Sequence, residues 1–291
     1  MGSRPLGRID LGAGSSNADL GTDLATLEAL DRPADLYDEF TIGSWVNHPL
    51  LNQSGTGNDS TFRDGTGVRA TPVLEQLPAV RALLDKYFHN ERLMMARVRD
   101  VREWSIIPHR DFLELDSDSS RYFRVLMTLQ ANDACMNSDE SMVFRMRPGE
   151  VWFLDAAGVH SAINTSSRSR WSLCLDFDLG DEFDTSCIFR DSALVDPPVA
   201  PHRVQRPRPE FTADEMASAV ATTVTRANVK EIAFGLGKVH FSADVPVDGS
   251  WDWLVEGCRL TGDSDLIDIA ERAREFYLGS RKLTERFTFA A

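Results

Sequence analysis

The sequence predicts an antiparallel β-sandwich or barrel followed by a small helical unit. Three observations predict it. Between residues 93 and 177 short apolar segments recur, bounded by turn residues, and closely spaced short strands build sandwiches and barrels. A proline cluster, Pro197, Pro198, Pro201, Pro207 and Pro209, then breaks the pattern. Beyond it the apolar residues recur at helical spacing.

Residues 15–60 are rich in Gly, Ser, Asn and Asp and read as loops, with a short strand around Phe40-Thr41-Ile42. In 73–88, Leu77, Val80, Leu83, Leu84 and Tyr87 lie on one helical face, which predicts a single amphipathic helix. Segments 93–101, 104–108, 122–130, 142–146, 151–155 and 171–178 read as strands. Arg147-Pro148-Gly149-Glu150 is a turn between two of them. After the extended Pro-rich stretch, Thr212-Ala213-Asp214-Glu215 is a capping box that opens a helix. Ala217, Val220, Ala221 and Val224 line its face. Leu266, Ile269, Ala270, Ala273, Phe276 and Tyr277 mark another helix, with Gly279 as its stop. The expected organisation is a β domain over 1–194, a linker over 195–210 and a helical domain over 211–291.

The chain has 291 residues, 42% of them hydrophobic, which is enough for a sizeable core. No apolar run approaches the ~20 residues of a membrane span, and residues 1–20 carry no signal-peptide pattern. With a net charge of −14 and no basic run, nucleic acid is excluded as a partner. An anionic ligand must therefore be caught by individual arginines inside a pocket. Of the 31 basic residues only Lys86, Lys230, Lys238 and Lys282 are lysines, a bias that GC-rich coding also produces. Cys135, Cys174, Cys187 and Cys258 show no CxxC spacing. Together these features predict reduced thiols, a cytoplasmic location and no structural zinc site.

His109 and Asp111 stand two apart, a spacing that puts both side chains on one face of an extended segment. His160 follows the strand at 151–155 and the flexible Ala156-Ala157-Gly158. Two histidines and one carboxylate can form a facial triad with open positions, the donor set of non-haem iron(II). The plainer reading of His109 is a hydrogen-bonded histidine near a turn. What argues against it is Arg170, ten residues beyond His160. In the strand that follows, Arg170, Ser172, Cys174 and Asp176 share one face, and Trp171, Leu173, Leu175 and Phe177 the other. An arginine and a serine on one face can grip the far end of a dicarboxylate; the bland alternative is a surface ion pair.

At these residues the chain resembles the bacterial L-proline 3-hydroxylases, free-amino-acid hydroxylases of the 2-oxoglutarate dioxygenase superfamily. The resemblance runs nearly end to end. It includes Ile107-Pro108-His109-Arg110-Asp111-Phe112, Gly149-Glu150-Val151-Trp152-Phe153-Leu154-Asp155-Ala156, Val159-His160-Ser161-Ala162 and Ser172-Leu173-Cys174-Leu175-Asp176-Phe177. Lys238-Val239-His240 and Glu285-Arg286-Phe287 extend it toward the C-terminus. It implies a double-stranded β-helix (jelly-roll) core with a helical C-terminal domain, iron(II) at His109, Asp111 and His160, and 2-oxoglutarate held by Arg170. It implies hydroxylation of a free cyclic amino acid at ring C3, with O2 consumed, succinate and carbon dioxide released, and ascorbate as reductant in vitro. It further implies substrate-pocket roles for Trp45, Arg97 and Arg124, whose bland readings are a core indole and surface-paired arginines. Arg124 shares a phase with Tyr122, Leu126 and Thr128, while the flanking phase is wholly apolar, which turns Arg124 inward. One departure is Leu126, where relatives often carry a histidine that bonds the cosubstrate: either another donor takes that place, or a reshaped pocket admits pipecolic acid in place of proline, and hydroxylation at another ring carbon or of another free amino acid stays an alternative.

Two rival classes use the same residues. Zinc hydrolysis at the triad leaves the Arg170–Ser172 pair without a task. A cupin-like binding module would hold metal and a small molecule without turnover. The other histidines carry bland expectations: His48 and His89 at the surface or pocket rim, and His240 as a packing residue. Asp155 reads as an orienting or capping group and Cys174 as a small buried filler. The expected partner is a small-molecule amino acid; a homodimer is compatible with the sequence, and a role in making hydroxylated amino acids for a peptide natural product is a family-level expectation.

Overall fold

The computed structural model describes residues 2–12, 19–31, 38–61, 63, 65–111, 122–180, 185–279 and 285–290. Phe112 of the resemblance lies outside them.

The chain opens with β1 (Arg4–Arg8), α1 (Leu20–Ala29), β2 (Thr41–Asn52), β3 (Arg69–Ala70), α2 (Pro72–Glu75), α3 (Pro78–Tyr87) and β4 (Leu93–His109). There follow β5 (Tyr122–Gln130), β6 (Cys135–Asp139), β7 (Met142–Arg145), β8 (Glu150–Phe153), β9 (His160–Asn164), β10 (Arg170–Asp178) and β11 (His202–Arg203). Four helices close the chain: α4 (Ala213–Thr223), α5 (Val229–Leu236), α6 (Gly249–Thr261) and α7 (Ser264–Leu278).

The sheet runs β1-β8-β5-β10-β4-β9-β6-β7-β11, with β2 added to β4 and β3 to β2. All of its pairings are antiparallel. β4 is the axis. Its first half pairs with β10, from Arg170↔Val101 to Phe177↔Leu93. Its second half pairs with β9, from Trp104↔Asn164 to His109↔His160. The sheet thus folds over along one strand into a double-stranded β-helix.

The fold-over lies at Glu103, a non-glycine residue with φ 43. Its N–H leaves the ladder and donates to Ser166 O at 2.9 Å. Gly43 of β2 faces this bend with φ 100. A Cβ there would stand 2.0 Å from Glu103 O, so only glycine lets the two backbones approach this closely.

The sequence expectation of two strands over 93–108 thus becomes one bent strand. The strands at 122–130 and 171–178 are found as expected, and β1, β3, β6, β9 and β11 are additions. The turn at 147–150 is present: Glu150 N donates to Arg147 O at 3.0 Å, and Gly149 has φ 82.

Two expectations are corrected. Residues 73–88 do not form one helix, because Pro78 has no N–H and forces Leu77 out of the helical region, to φ −121, ψ 70. Within the stretch 15–60, the described residues 19–31 and 38–60 form more regular structure than their composition suggested. Asp19 caps α1 by accepting from Gly21 N, and Leu20, Leu24 and Leu27 pack on the core. From Thr41 the chain runs as a twelve-residue strand, where a short one was expected.

The main core lies between the outer face of β4, β5 and β10 and the helices α1–α3, with Phe123, Val125, Met127, Leu173, Leu175 and Phe177 buried there. The second core belongs to α4–α7, and it includes Phe40 and Ile107 of the β part. The capping box is formed as expected, with Thr212 Oγ1 accepting from Glu215 N at 3.2 Å. Gly279 is the C-cap of α7. In the Pro-rich stretch β11 pairs with β7. All four cysteines are free, Cys174 fully buried as a filler. No helix of the described residues is long and apolar enough to cross a membrane.

Candidate active site

The two halves of β4 deliver different chemistry to one pocket. At its end, Pro108 and the start of the next segment are clasped by the helical part. Trp251 Nε1 donates to Pro108 O at 2.9 Å, and Arg110 N donates to Tyr277 O at 2.9 Å. Asp111 N donates to Ala156 O at 2.9 Å, in the loop before His160. Phe40 packs on the His109 ring at 5.0 Å.

These constraints bring His109, Asp111 and His160 together, with one ligand atom from each within 4.8 Å of the others. His109 Nδ1 faces Ile107 O at 2.9 Å and His160 Nδ1 faces Gly158 O at 3.1 Å. A carbonyl can only accept, so both Nδ1 atoms donate and both Nε2 lone pairs turn to the common point. There Asp111 Oδ1 lies 3.2 Å from His109 Nε2 and 3.7 Å from His160 Nε2. The donor set, two imidazole Nε2 atoms and one carboxylate with one side open to the pocket, fits iron(II).

The other carboxylate oxygen of Asp111 pairs with Arg124 Nη1. Burial alone would raise the Asp111 carboxyl, but the Arg124 guanidinium beside it holds it well below its usual value. It stands ready as an anion.

Behind Arg124 is a hub that sequence reasoning missed. Asp176, fully buried, accepts from Tyr122 Oη at 2.6 Å and Arg124 Nε at 2.7 Å through Oδ1, and from Arg97 Nη2 at 2.5 Å through Oδ2. Burial pushes Asp176 up, yet Arg124 and Arg97 outweigh it and bring the carboxyl to about 2. The available signal was alternation, since Asp176 shares the inward phase of β10 with Arg170.

Arg170 comes from the start of β10 and is 5% exposed. Its Nη2 donates to Asn137 Oδ1 at 3.0 Å and touches Met146 Sδ at 3.7 Å. Among the described residues it has no carboxylate partner, and burial lowers its pKa. A buried guanidinium without a counter-charge is costly, and an incoming carboxylate removes that cost. Ser172 lines the same pocket. Two buried donor groups nearby also lack acceptors, Asn137 Nδ2 and Thr128 Oγ1.

Trp45, Arg97 and Arg124 all line the pocket. The Trp45 indole stands edge-on to Trp104 at 5.6 Å, with its Nε1 unpartnered. Leu126 also lines the pocket, in register with Trp152 and Cys174, and supplies no donor where relatives often have a histidine.

Away from the pocket, His89 is partly exposed and its Nδ1 lies 2.6 Å from Glu91 Oε1. His240 is a buried packing residue with Nε2 2.7 Å from Ser138 Oγ. His48 is a correction. It is 3% exposed rather than at a rim, because β2 continues through it and stacks its ring near Trp171.

Comparisons with known proteins found the following similarities. The family model of the L-proline 3-hydroxylase C-terminal region matches residues 185–285, and that of aspartyl/asparaginyl β-hydroxylases matches residues 27–179. The chain is 40% identical to L-proline cis-3-hydroxylase 2 of a Streptomyces species, over 100% of both chains. It is 33% identical to L-proline cis-4-hydroxylase of Rhizobium meliloti, over 99% of this chain and 100% of that one. Among solved structures, HygX of Streptomyces hygroscopicus with nickel, 2-oxoglutarate and hygromycin B bound is 13% identical, with a TM-score of 0.37, covering 69% of this chain and 93% of that one.

Proposed function

The chain belongs to the L-proline 3-hydroxylase family of 2-oxoglutarate-dependent dioxygenases, and from that membership we propose that it hydroxylates a free cyclic L-amino acid, L-proline or L-pipecolic acid, at ring C3. The preference for C3 over C4 rests on the family model matched by residues 185–285 and on the higher identity to the cis-3 relatives, 40% against 33%.

Arg170 carries the reading. It is a buried guanidinium without a counter-charge among the described residues, in the same pocket as a converged His-Asp-His set. A zinc hydrolase gives that charge no task, whereas a dicarboxylate cosubstrate neutralises it. His109, Asp111 and His160 would hold iron(II). Arg170 would grip the distal carboxylate of 2-oxoglutarate by a bidentate pair, with Ser172 and Asn137 Nδ2 as further donors. When bound, iron(II) and 2-oxoglutarate activate O2 for insertion into a C–H bond, with succinate and carbon dioxide as coproducts.

The protein's own part is placement. Arg124 holds Asp111 from behind, fixing which carboxylate oxygen is offered to the metal. Trp45, Arg97 and Arg124 form the wall against which the substrate ring lies, and that wall decides which carbon faces the metal.

The test incubates the protein with iron(II), ascorbate, 2-oxoglutarate and O2, with L-proline and L-pipecolic acid in separate reactions. Succinate should match, mole for mole, a product one oxygen atom heavier than one of the two substrates, and both should vanish in His109→Ala. NMR of the product should place the hydroxyl on C3. Iron-loaded protein that forms no succinate would refute the dioxygenase chemistry in favour of a binding module.

A further inference from the structure

Among the described residues, four arginines line the pocket: Arg97, Arg99, Arg124 and Arg170. Their counter-charges are unevenly shared. Arg97 and Arg124 are both neutralised through Asp176, and Arg124 also through Asp111. Arg170 and Arg99 have no carboxylate partner among the described residues. Resting on the function proposed above, Arg170 takes the distal carboxylate of the cosubstrate, and one unpaired cation is left.

Arg99 is held in place without being neutralised. Its Nε donates to Asn47 Oδ1 at 3.0 Å, and its guanidinium lies over the Trp45 ring at 5.4 Å. Both partners belong to β2. Arg170 instead reaches across to Asn137 of β6. The two free cations therefore start close together, since Arg99 pairs with Ser172 and Arg170 with Val101 in the β4–β10 register, but they lean to different walls. Arg170 is buried, whereas Arg99 is partly exposed. Arg99 thus stands nearer the opening, on the side of the indole.

We propose that Arg99, held against Trp45 by Asn47, binds the α-carboxylate of the amino-acid substrate, while Arg97 and Arg124 stay committed to Asp176. The Nε–Asn47 contact leaves both Nη groups to form the planar fork that meets a carboxylate. Because the anchor is a neutral amide, the full charge of Arg99 is available to the ligand. The indole beside it supplies an apolar face for the ring that carries this carboxylate.

The experiment compares wild type, Arg99→Gln and Arg99→Lys with L-proline and L-prolinamide, which lacks the anionic carboxylate, and measures the KM for 2-oxoglutarate in each. L-pipecolic acid and its amide replace the proline pair if pipecolic acid is the substrate. A hydrogen bond to a charged group is worth about 1.5–3 kcal/mol, so Arg99→Gln should raise the KM for the amino acid by roughly 10- to 100-fold. The KM for 2-oxoglutarate should stay within about twofold, and the preference for acid over amide should collapse by a factor similar to the rise in KM. Arg99→Lys, which keeps the charge and loses the fork, should recover part of both losses.

A rise in the KM for 2-oxoglutarate in place of that for the amino acid would assign Arg99 to the cosubstrate and overturn the proposal. An unchanged acid-to-amide preference in both variants would also overturn it. Wild-type turnover separates this from failure of the function itself: an enzyme that hydroxylates neither amino acid refutes the function, and one that does so with Arg99 variants unaffected refutes only the role of Arg99.

Discussion

Arg170→Lys keeps a cation at the deep end of the pocket and removes its fork. If Arg170 grips the cosubstrate, the KM for 2-oxoglutarate should rise by about tenfold or more, with the amino-acid KM changed far less. Steady-state kinetics with each substrate varied in turn checks this, and an equal rise in both constants contradicts it. Asp176→Asn tests the hub. The change leaves Arg97 and Arg124 buried side by side without their shared anion, a loss of about 3–5 kcal/mol, read as a lower urea midpoint. The same carboxyl bears on acid stability. Its pKa falls from 3.8 to about 2 on folding, so its contribution is complete above 3.8 and disappears as pH falls toward 2. Alternation along β10 made the shared face of Asp176 and Arg170 readable from sequence. The partners of each were not, because they depend on which arginine each carboxylate reaches across strands.

At the scale of elements, β4 and the helices that hold its end matter most. The indole of Trp251 reaches Pro108 O across 143 positions of sequence, and Tyr277 O accepts from Arg110 N. Both contacts fall on the segment that sets the His109–Asp111 geometry. Trp251→Phe preserves most of the packing and removes the donor. It should cost about 1 kcal/mol of stability and weaken iron(II) binding several-fold, measured by titration of the apoprotein with metal. An unchanged metal affinity would make the clasp a packing feature only. Helix and strand periodicities were legible in the sequence, as at α4, α7, β5 and β10. The continuity of β4 through Glu103 was not, since a positive φ at a glutamate becomes tolerable only when Gly43 lets β2 close on it.

Across the whole molecule, the helical part is joined to the sheet by a shared core and by a buried histidine. Ile107 and Phe40 pack among the residues of α4–α7, and His240 bonds Ser138 on β6, beside the strand that carries His160. Burial, with Arg206 nearby, lowers His240 from 6.5 to about 3. It stays neutral in the folded chain while the unfolded chain gains a proton below 6.5. Stability therefore falls on acidification from pH 6.5 toward 3, by up to ~1.4 kcal/mol per pH unit from this group. Urea midpoints between pH 7 and pH 4.5 should fall more steeply for wild type than for His240→Gln. Parallel curves would show that another group sets the acid limit.

The sequence by itself determined what can be read locally: residue type, period and spacing. His109-x-Asp111 with a distant His160, the inward phase of Arg124 and Arg170, and the shift from strand to helical period after the prolines all depend on near neighbours along the chain. The tertiary structure decided what depends on distance across it. It set which carboxylates neutralise which arginines, left Arg99 and Arg170 without counter-charges among the described residues, moved His48 inside, and turned residues 93–109 into one bent strand clasped by helices more than a hundred residues later. The physical reason is that alternation fixes the face of a side chain, whereas charge pairing and close backbone approach are fixed only when strands remote in sequence come into register.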